Sequence, residues 1–254
     1  MYVSSRQAMS NNSSFKQAIP NNSNRRGENR IIAGLPPGEY EAVAPHLENV
    51  SLRRGTILQM PEQKIAYVYF PITCMLSLLA TLEGGETVET GVVGSEGMVG
   101  ISIVLGVDAS TNEVLVQADG DAHRMKAKAL GPLIKNGGVL HDSLLLYIHT
   151  IFVQISQTAA CNRAHSLSER LARWLLLTHD RLGRDEFDLT HEFLARMLGT
   201  RRAGVSVAAS TLRDAGVIGY TRGRVTVLDR KGLESASCEC YRIVKAEYDR
   251  LATT

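Results

Sequence analysis

The side chains best suited to chemistry lie in residues 189–228, and the chemistry they suit is contact with a polyanion. Arg201 and Arg202 stand at the start of a periodic segment whose outer side also carries Ser206, Val207 and Ser210. Its inner stripe is Val205, Ala208 or Ala209, and Leu212, at the three-to-four spacing of a helix. A shorter helix is predicted just before it. Thr190 is a good N-cap, and Glu192 sits in the first turn, where the helix dipole favours an acid. Leu194, Met197 and Leu198 mark one buried face, and Gly199 ends the helix. Thr200 or Arg201 caps the second helix, and Gly216 closes it. Residues 217–220, 221–224 and 225–228 then read as a hairpin with a basic tip. Two tightly joined helices, the second opening on an arginine pair, form the arrangement that places side chains in the DNA major groove.

Helix pairs of this kind also occur in all-α proteins that touch no nucleic acid. Charge argues for DNA here. Residues 189–231 hold eight Lys/Arg and three Asp/Glu, a net of +5 in a chain whose total is +2. Residues 31–138 hold seven Lys/Arg and twelve Asp/Glu, a net of −5. An acidic first part and a basic last part predict two domains with different partners.

At 254 residues, 44% hydrophobic and 21% charged, the chain is long enough for one large or two modest globular domains. No apolar run approaches the ~18–20 residues of a membrane span, so no membrane partner is expected. The first 30 residues lack the apolar core of a signal peptide. They are rich in Ser and Asn, with five basic residues against one acid, and residues 1–29 read as a disordered tail. Cys74, Cys161, Cys238 and Cys240 fit neither a disulfide framework nor paired CxxC elements. Free thiols in a reducing cytoplasm are expected, with no metal and no cofactor. The single residue between Cys238 and Cys240 argues against both chelation and a disulfide. Enzymatic motifs are missing: Ser95 lies in Gly-Ser-Glu-Gly, but Val93 stands where a nucleophile loop needs glycine, and there is no HExxH or P-loop.

The elements that must hold the basic segment follow from periodicity. A short amphipathic helix covers residues 37–47. Short β-rich segments at 65–70, 75–81, 87–93, 114–117 and 122–125, broken by turns, predict an antiparallel barrel or roll. From about Gly138 the period changes. Leu144, Ile148, Ile151, Ile155, Thr158 and Asn162 recur at alternating spacings of four and three, as along the seam of a dimer helix. Leu167–Leu182 is a further helix with Trp174 in its apolar face. The fold class is therefore α+β: an antiparallel, jelly-roll-like β-roll (30–137), a dimerisation helix (138–163) and a winged helix-turn-helix (164–254).

This order of parts resembles the Crp/Fnr family of bacterial transcription regulators. The resemblance rests on Tyr69-Phe70-Pro71, on Glu89-Thr90-Gly91 and on the Gly94-Ser95-Glu96-Gly97-Met98-Val99-Gly100 stretch. A long helix follows, then Leu189-Thr190-His191-Glu192, Met197-Leu198-Gly199, Arg201-Arg202 and Val205-Ser206. The stretch from Leu228-Asp229-Arg230 to Cys238-Glu239-Cys240-Tyr241 recurs in one branch. Membership implies a homodimer on a near-palindromic site in double-stranded DNA, with RNA polymerase as a further partner if it activates. Arg202 matches the family's base-reading arginine, whose fork suits the O6 and N7 of guanine. Ala203 and Val207 stand where the best-known member has Glu and Arg, so a different operator is implied. Ser206 and Ser210 are implied base or phosphate contacts. Thr190, His191, Thr221, Arg222 and Arg224 are implied phosphate positioners.

The same resemblance bears on the effector. Cyclic-nucleotide-binding relatives carry Gly-Glu at a helix start and an Arg-Ser or Arg-Thr later, which together hold the cyclic phosphate. Here Ile101 follows Gly100, and the later site falls at Ala109-Ser110-Thr111 without an arginine. Control by a cyclic nucleotide in the usual way is not expected. An effector pocket, if present, falls at Gly97, Gly100, Ser110 and Thr111, and its ligand is not identified. Residues 1–73 contain no cysteine, which excludes the N-terminal iron–sulfur chemistry of one branch. His123, His141, His149 and Cys74 read as surface or packing residues rather than haem ligands. Cys161 would be a redox switch if its thiol were exposed near Arg163. The rival to DNA reading is a ligand-binding module acting on a partner protein.

Overall fold

A computed structural model of the chain describes residues 28–253. The tail expected at 1–29 therefore lies outside the described residues except at its end. There Asn29 is buried rather than disordered. Its side chain accepts from Ile31 N, capping α1 (Arg30–Ala33), and donates to the carbonyls of Pro71 and Gly97 at 2.9 and 2.8 Å. Next come α2 (Pro37–Val43), β1 (Glu48–Leu52), β2 (Ile57–Gln59), β3 (Tyr67–Pro71), β4 (Met75–Thr81) and β5 (Thr87–Val93). β6 (Glu113–Ala118), β7 (Gly120–Lys126) and α3 (Ala127–Ile134) complete the first part. All pairings are antiparallel: β1-β7-β3 form one sheet and β2-β6-β4-β5 the other. Val68, Phe70, Leu76, Leu79, Val116 and Met125 are buried in the core of this roll.

α4 (Val139–Ala164) runs from the roll toward α5 (Leu167–Leu182), which opens on a capping box between Ser166 and Glu169. By length and composition α4 is apolar enough to cross a membrane, contrary to the sequence expectation. It packs instead along β5 and along α9 (Glu239–Thr253), which follows α8 (Arg230–Ala236). Its buried face includes Thr150, Gln154 and Thr158, and Gln154 donates to Val92 O and accepts from Tyr248 of α9.

That packing changes the seam read from the sequence. Leu144, Ile151 and Thr158 face the interior of the chain itself. Ile148 is half-buried, and Ile155 and Asn162 are on the open side. The exposed positions that complete a three–four spacing with them are Leu145, Phe152 and Ala159; Phe152 is 67% exposed. The heptad count had merged two faces of a helix that is apolar on both.

The roll and the C-terminal part are joined by buried polar contacts. Glu89 of β5 is buried, and Trp174 Nε1 of α5 donates to its Oε1 at 2.7 Å. Ser77 Oγ lies 2.7 Å from Glu89 Oε2 and 2.6 Å from Gln117 Oε1. A hydroxyl has one proton for these two acceptors; the second comes from a protonated Glu89 or from the Gln117 amide turned to present Nε2, which is buried without a partner as placed. Burial indeed pushes the Glu89 carboxyl up to about 7, against the opposing donors Ser77 and Trp174. Arg181 of α5 donates to Glu96 at 2.8 Å, both side chains being buried.

A carboxyl raised on folding contributes stability that is fully present below its unfolded pKa and lost as pH rises through the folded value. Glu89 should therefore cost stability between about pH 4.5 and pH 7, by roughly 3 kcal/mol in all. Urea unfolding across this range should show that decline in the wild type. Glu89→Gln, which keeps an oxygen for Trp174 and a donor for Ser77, should flatten it; an equal slope in both proteins would refute the assignment.

Candidate nucleic-acid interface

The basic segment folds as α6 (His191–Met197), α7 (Arg202–Asp214) and a sheet of order β8-β10-β9. These strands are β8 (Glu186–Asp188), β9 (Ile218–Thr221) and β10 (Arg224–Val227). Thr190 Oγ1 accepts from Phe193 N and caps α6. Gly199 ends it with φ +57°, in the left-handed region. Arg201 is the N-cap of α7 and offers no side-chain cap, which leaves the first N–H groups of this helix open to an anion. Val205, Ala208, Ala209 and Leu212 are buried. Gly204 lets α7 approach α5: a Cβ there would lie 3.0 Å from Leu167 Cδ2.

Arg201, Arg202, Ala203, Ser206 and Val207 are exposed along the other face, Val207 at 68%. Among the described residues neither Arg201 nor Arg202 is ion-paired. Ser206 is already engaged: it shares a 2.9 Å hydrogen bond with His191 Nδ1 and donates to Arg202 O at 3.1 Å. Ser210 is half-buried, accepts from Arg213 at 2.7 Å and sits 3.3 Å from Asp214 Oδ2.

The expected phosphate contacts divide. Thr221 and Arg222 lie on the hairpin at the wing tip, exposed. Arg222 and Gly223, with φ of 49° and 82°, make the tight turn between β9 and β10. Arg224 is instead held within the wing by Glu186 and Asp188 at 3.5 and 3.4 Å. His191 is turned inward: its ring stacks on Tyr220 with centroids 4.3 Å apart, and its Nε2 is buried without a partner. Burial, then the charge of Arg202, lowers its pKa, so the imidazole is neutral. It ties α7 to the wing through Ser206 and Tyr220.

Several arginines that matter were not singled out in the sequence. Arg196 of α6 bonds Thr87 at 2.6 Å and pairs with Glu113 at 3.1 Å. Arg54 of the roll donates to Asp188 O and lies over the Phe193 ring. Nothing in their spacing separates such docking arginines from DNA-facing ones.

Residues 169–236 match the family described as the Crp-like helix-turn-helix domain. The whole fold is similar to solved structures. FixK2 from Bradyrhizobium japonicum is 16% identical, with 76% of this chain and 98% of that chain covered and a TM-score of 0.66. The c-di-GMP responsive global regulator CLP of Xanthomonas campestris is 15% identical, covering 76% and 99% with a TM-score of 0.63. TTHB099, a transcriptional regulator of the CRP family from Thermus thermophilus, is 18% identical, covering 74% and 96% with a TM-score of 0.62. No curated protein sequence matches the chain significantly. The chain carries a Crp-like helix-turn-helix domain on a Crp/Fnr fold. The match makes residues 169–236 a domain of DNA-binding type.

The residues expected at an effector pocket meet different neighbours. Gly97 is the seat of Tyr147, a fully buried residue of α4: a Cβ on Gly97 would lie 2.2 Å from Tyr147 Cε2. Gly100, with φ +91°, lies against Val68 and Ile65 instead. Ser110 accepts from Asn112 N through its hydroxyl and from Glu62 N through its carbonyl, and Thr111 is exposed. Between β5, α4 and α5 a void of about 20 Å³ remains, room for about one water. His123, His141 and His149 do not converge: His141 pairs with Asp142 and His149 with Glu247, while burial lowers the pKa of His123. Cys74 is buried and pushed up to about 12. Cys161 is completely buried, which removes the exposed thiol that a switch beside Arg163 required.

The Gly97–Tyr147 contact leaves no room for a methyl group. Gly97→Ala should destabilise by about 1–3 kcal/mol in urea unfolding, as overpacking does. Gly131→Ala, on α3 with nothing within 4 Å, should be neutral or slightly stabilising.

Proposed function

We propose that the chain acts in the cytoplasm as a homodimer that reads a near-palindromic operator, each protomer placing α7 in one of two successive major grooves about 34 Å apart. The observation that carries this reading is the exposed, unpaired Arg201–Arg202 pair at the uncapped start of α7, with Val207 beside it and Arg222 on the wing. Arg202 reads guanine through its fork, and Arg201 reinforces it or takes a phosphate. Ala203 and Val207 offer small apolar groups suited to thymine methyls. Thr190, Thr221 and Arg222 meet phosphates, which adds affinity without sequence information.

The dimer forms along α4 through Leu145, Ile148, Phe152, Ile155, Ala159 and Asn162. A phenylalanine two-thirds exposed in the middle of an apolar stripe calls for a partner. RNA polymerase is a partner if the regulator activates. The filled space between roll and α4 supports the view that a cyclic nucleotide is not bound there in the usual way. CLP is described as c-di-GMP responsive, but nothing at the matching face here assigns that ligand to this chain.

Selection from random duplex DNA should enrich an inverted repeat with half-sites one helical turn apart. Arg202→Ala should weaken binding by ~1–3 kcal/mol and relax the preference for one guanine per half-site, while Arg222→Ala should weaken all sequences alike and reduce the salt slope by about one. Enrichment unchanged by Arg202→Ala would sink the assignment. Phe152→Asp should yield a monomer in sedimentation and lose most operator affinity; a stable dimer in that variant would place the interface elsewhere.

A further inference from the structure

Four side chains from separate stretches meet where α4 gives way to α5. Cys161 lies in the last turn of α4, and His165 is the residue that ends it. Cys238 and Cys240 flank the start of α9. One atom from each, three Sγ and one ring nitrogen, all lie within 4.8 Å of one another. Cys161 and Cys238 are 3.5 Å apart at sulfur, and Cys240 Sγ is 3.7 Å from His165 Nδ1. The three cysteines are buried, in a cluster apart from the main core.

The distances suit a metal. A tetrahedral zinc ion holds sulfur at about 2.3 Å and nitrogen at about 2.0 Å, so neighbouring ligand atoms stand roughly 3.5–3.8 Å apart. Two edges of the present cluster already have that length. Cys161 and His165 are one helical turn apart and share a face. The objection to Cys238 and Cys240 was their single intervening residue. The backbone removes it: Ser237 is extended, and Tyr241 N bonds back to Cys238 O, so the chain turns between the two thiols and brings them to one side.

The surroundings point the same way. Glu239 holds His165 from behind, its carboxylate 3.2 Å from Nε2. That contact keeps the proton on Nε2 and leaves the Nδ1 lone pair aimed at the sulfurs, the arrangement typical of a metal-bound histidine. A divalent ion with three thiolates carries a net negative charge. Arg173 of α5, itself buried, lies close enough to act electrostatically on Cys161 and Cys240 and has an Nε without a partner. A disulfide would use two of the sulfurs and leave the histidine and its carboxylate without a role.

We propose that Cys161, His165, Cys238 and Cys240 form a four-coordinate site for a thiolate-preferring divalent cation, with zinc the best fit, that fastens α9 to the α4–α5 junction. Binding breaks the S–H bonds and releases their protons to solvent, forms three metal–sulfur bonds and one metal–nitrogen bond, and moves no electrons. A closed four-ligand shell leaves no open position, so the role is structural. Its location sets what it holds: α9 runs back along α4, and α5 leads to α7.

The test uses the full-length protein, reduced, stripped with a chelator and titrated with cobalt(II) without DNA. One equivalent per chain should produce thiolate-to-cobalt charge-transfer bands and the intense d–d bands of a tetrahedral ion, bleached by one equivalent of zinc. Zinc should also raise the melting temperature of the stripped protein. Cys74→Ser should behave as wild type, and Cys238→Ser with Cys240→Ser should lose the bands. Glu239→Gln should keep them at about 10–100-fold weaker affinity, a result independent of whether the cysteine variants fold. The absence of bands in the wild type, their survival without Cys238 and Cys240, or a Cys161–Cys238 disulfide that forms in place of metal uptake would each overturn the proposal.

Discussion

The molecule depends on how α4 divides its surface. One face lies against β5 and the loop that follows, with Tyr147 seated on Gly97 and Gln154 bonded to Val92. Another is covered by α9, through Tyr248 and Glu247. The third, from Leu145 to Asn162, is left open. A helix with three apolar sides has no strong preferred face of its own. Its orientation is therefore set by a few buried polar bonds, because leaving Gln154 or Thr158 without a partner costs more than a small shift in apolar contact. The roll and the winged domain both inherit their positions from that choice.

This also explains what was legible in the sequence. The β4 and β5 strands, α5 and the α6–α7 pair could be read because each has one apolar stripe and clear end signals, such as Ser166, Thr190 and Gly199. β1, β2 and β8 are short and lie partly on the surface, so their alternation is weak. The seam predicted along α4 mixes buried positions (Leu144, Ile151, Thr158) with open ones, since periodicity cannot tell an apolar face turned inward from one turned outward. The inward turn of His191 depends on the aromatic ring of Tyr220 from a different element, and no local pattern contains it. The meeting of Cys161 with Cys238 is likewise a product of α9 folding back across 77 residues.

The charge imbalance between the two halves has a double use. Part of the positive charge of the C-terminal domain is spent inside the protein, where Arg181 meets Glu96 and Arg196 meets Glu113. Arg201, Arg202 and Arg222 remain free for an outside anion. Net charge locates the basic domain, while only the fold sorts docking arginines from recognising ones. The buried Arg181–Glu96 pair adds little net stability over an apolar pair, but breaking one partner leaves an uncompensated charge, so it fixes the orientation of the two halves.

The face of α7 is built so that its core and its outer surface have no residues in common. Val205, Ala208, Ala209 and Leu212 hold the helix in place, whereas Ala203 and Val207 touch nothing that the fold requires. If α7 reads DNA as proposed, substitutions at those two positions change what the helix presents to it at almost no thermodynamic expense. A lineage carrying this domain can therefore drift to new binding sites by single steps, each copy remaining folded, while the inner stripe stays fixed.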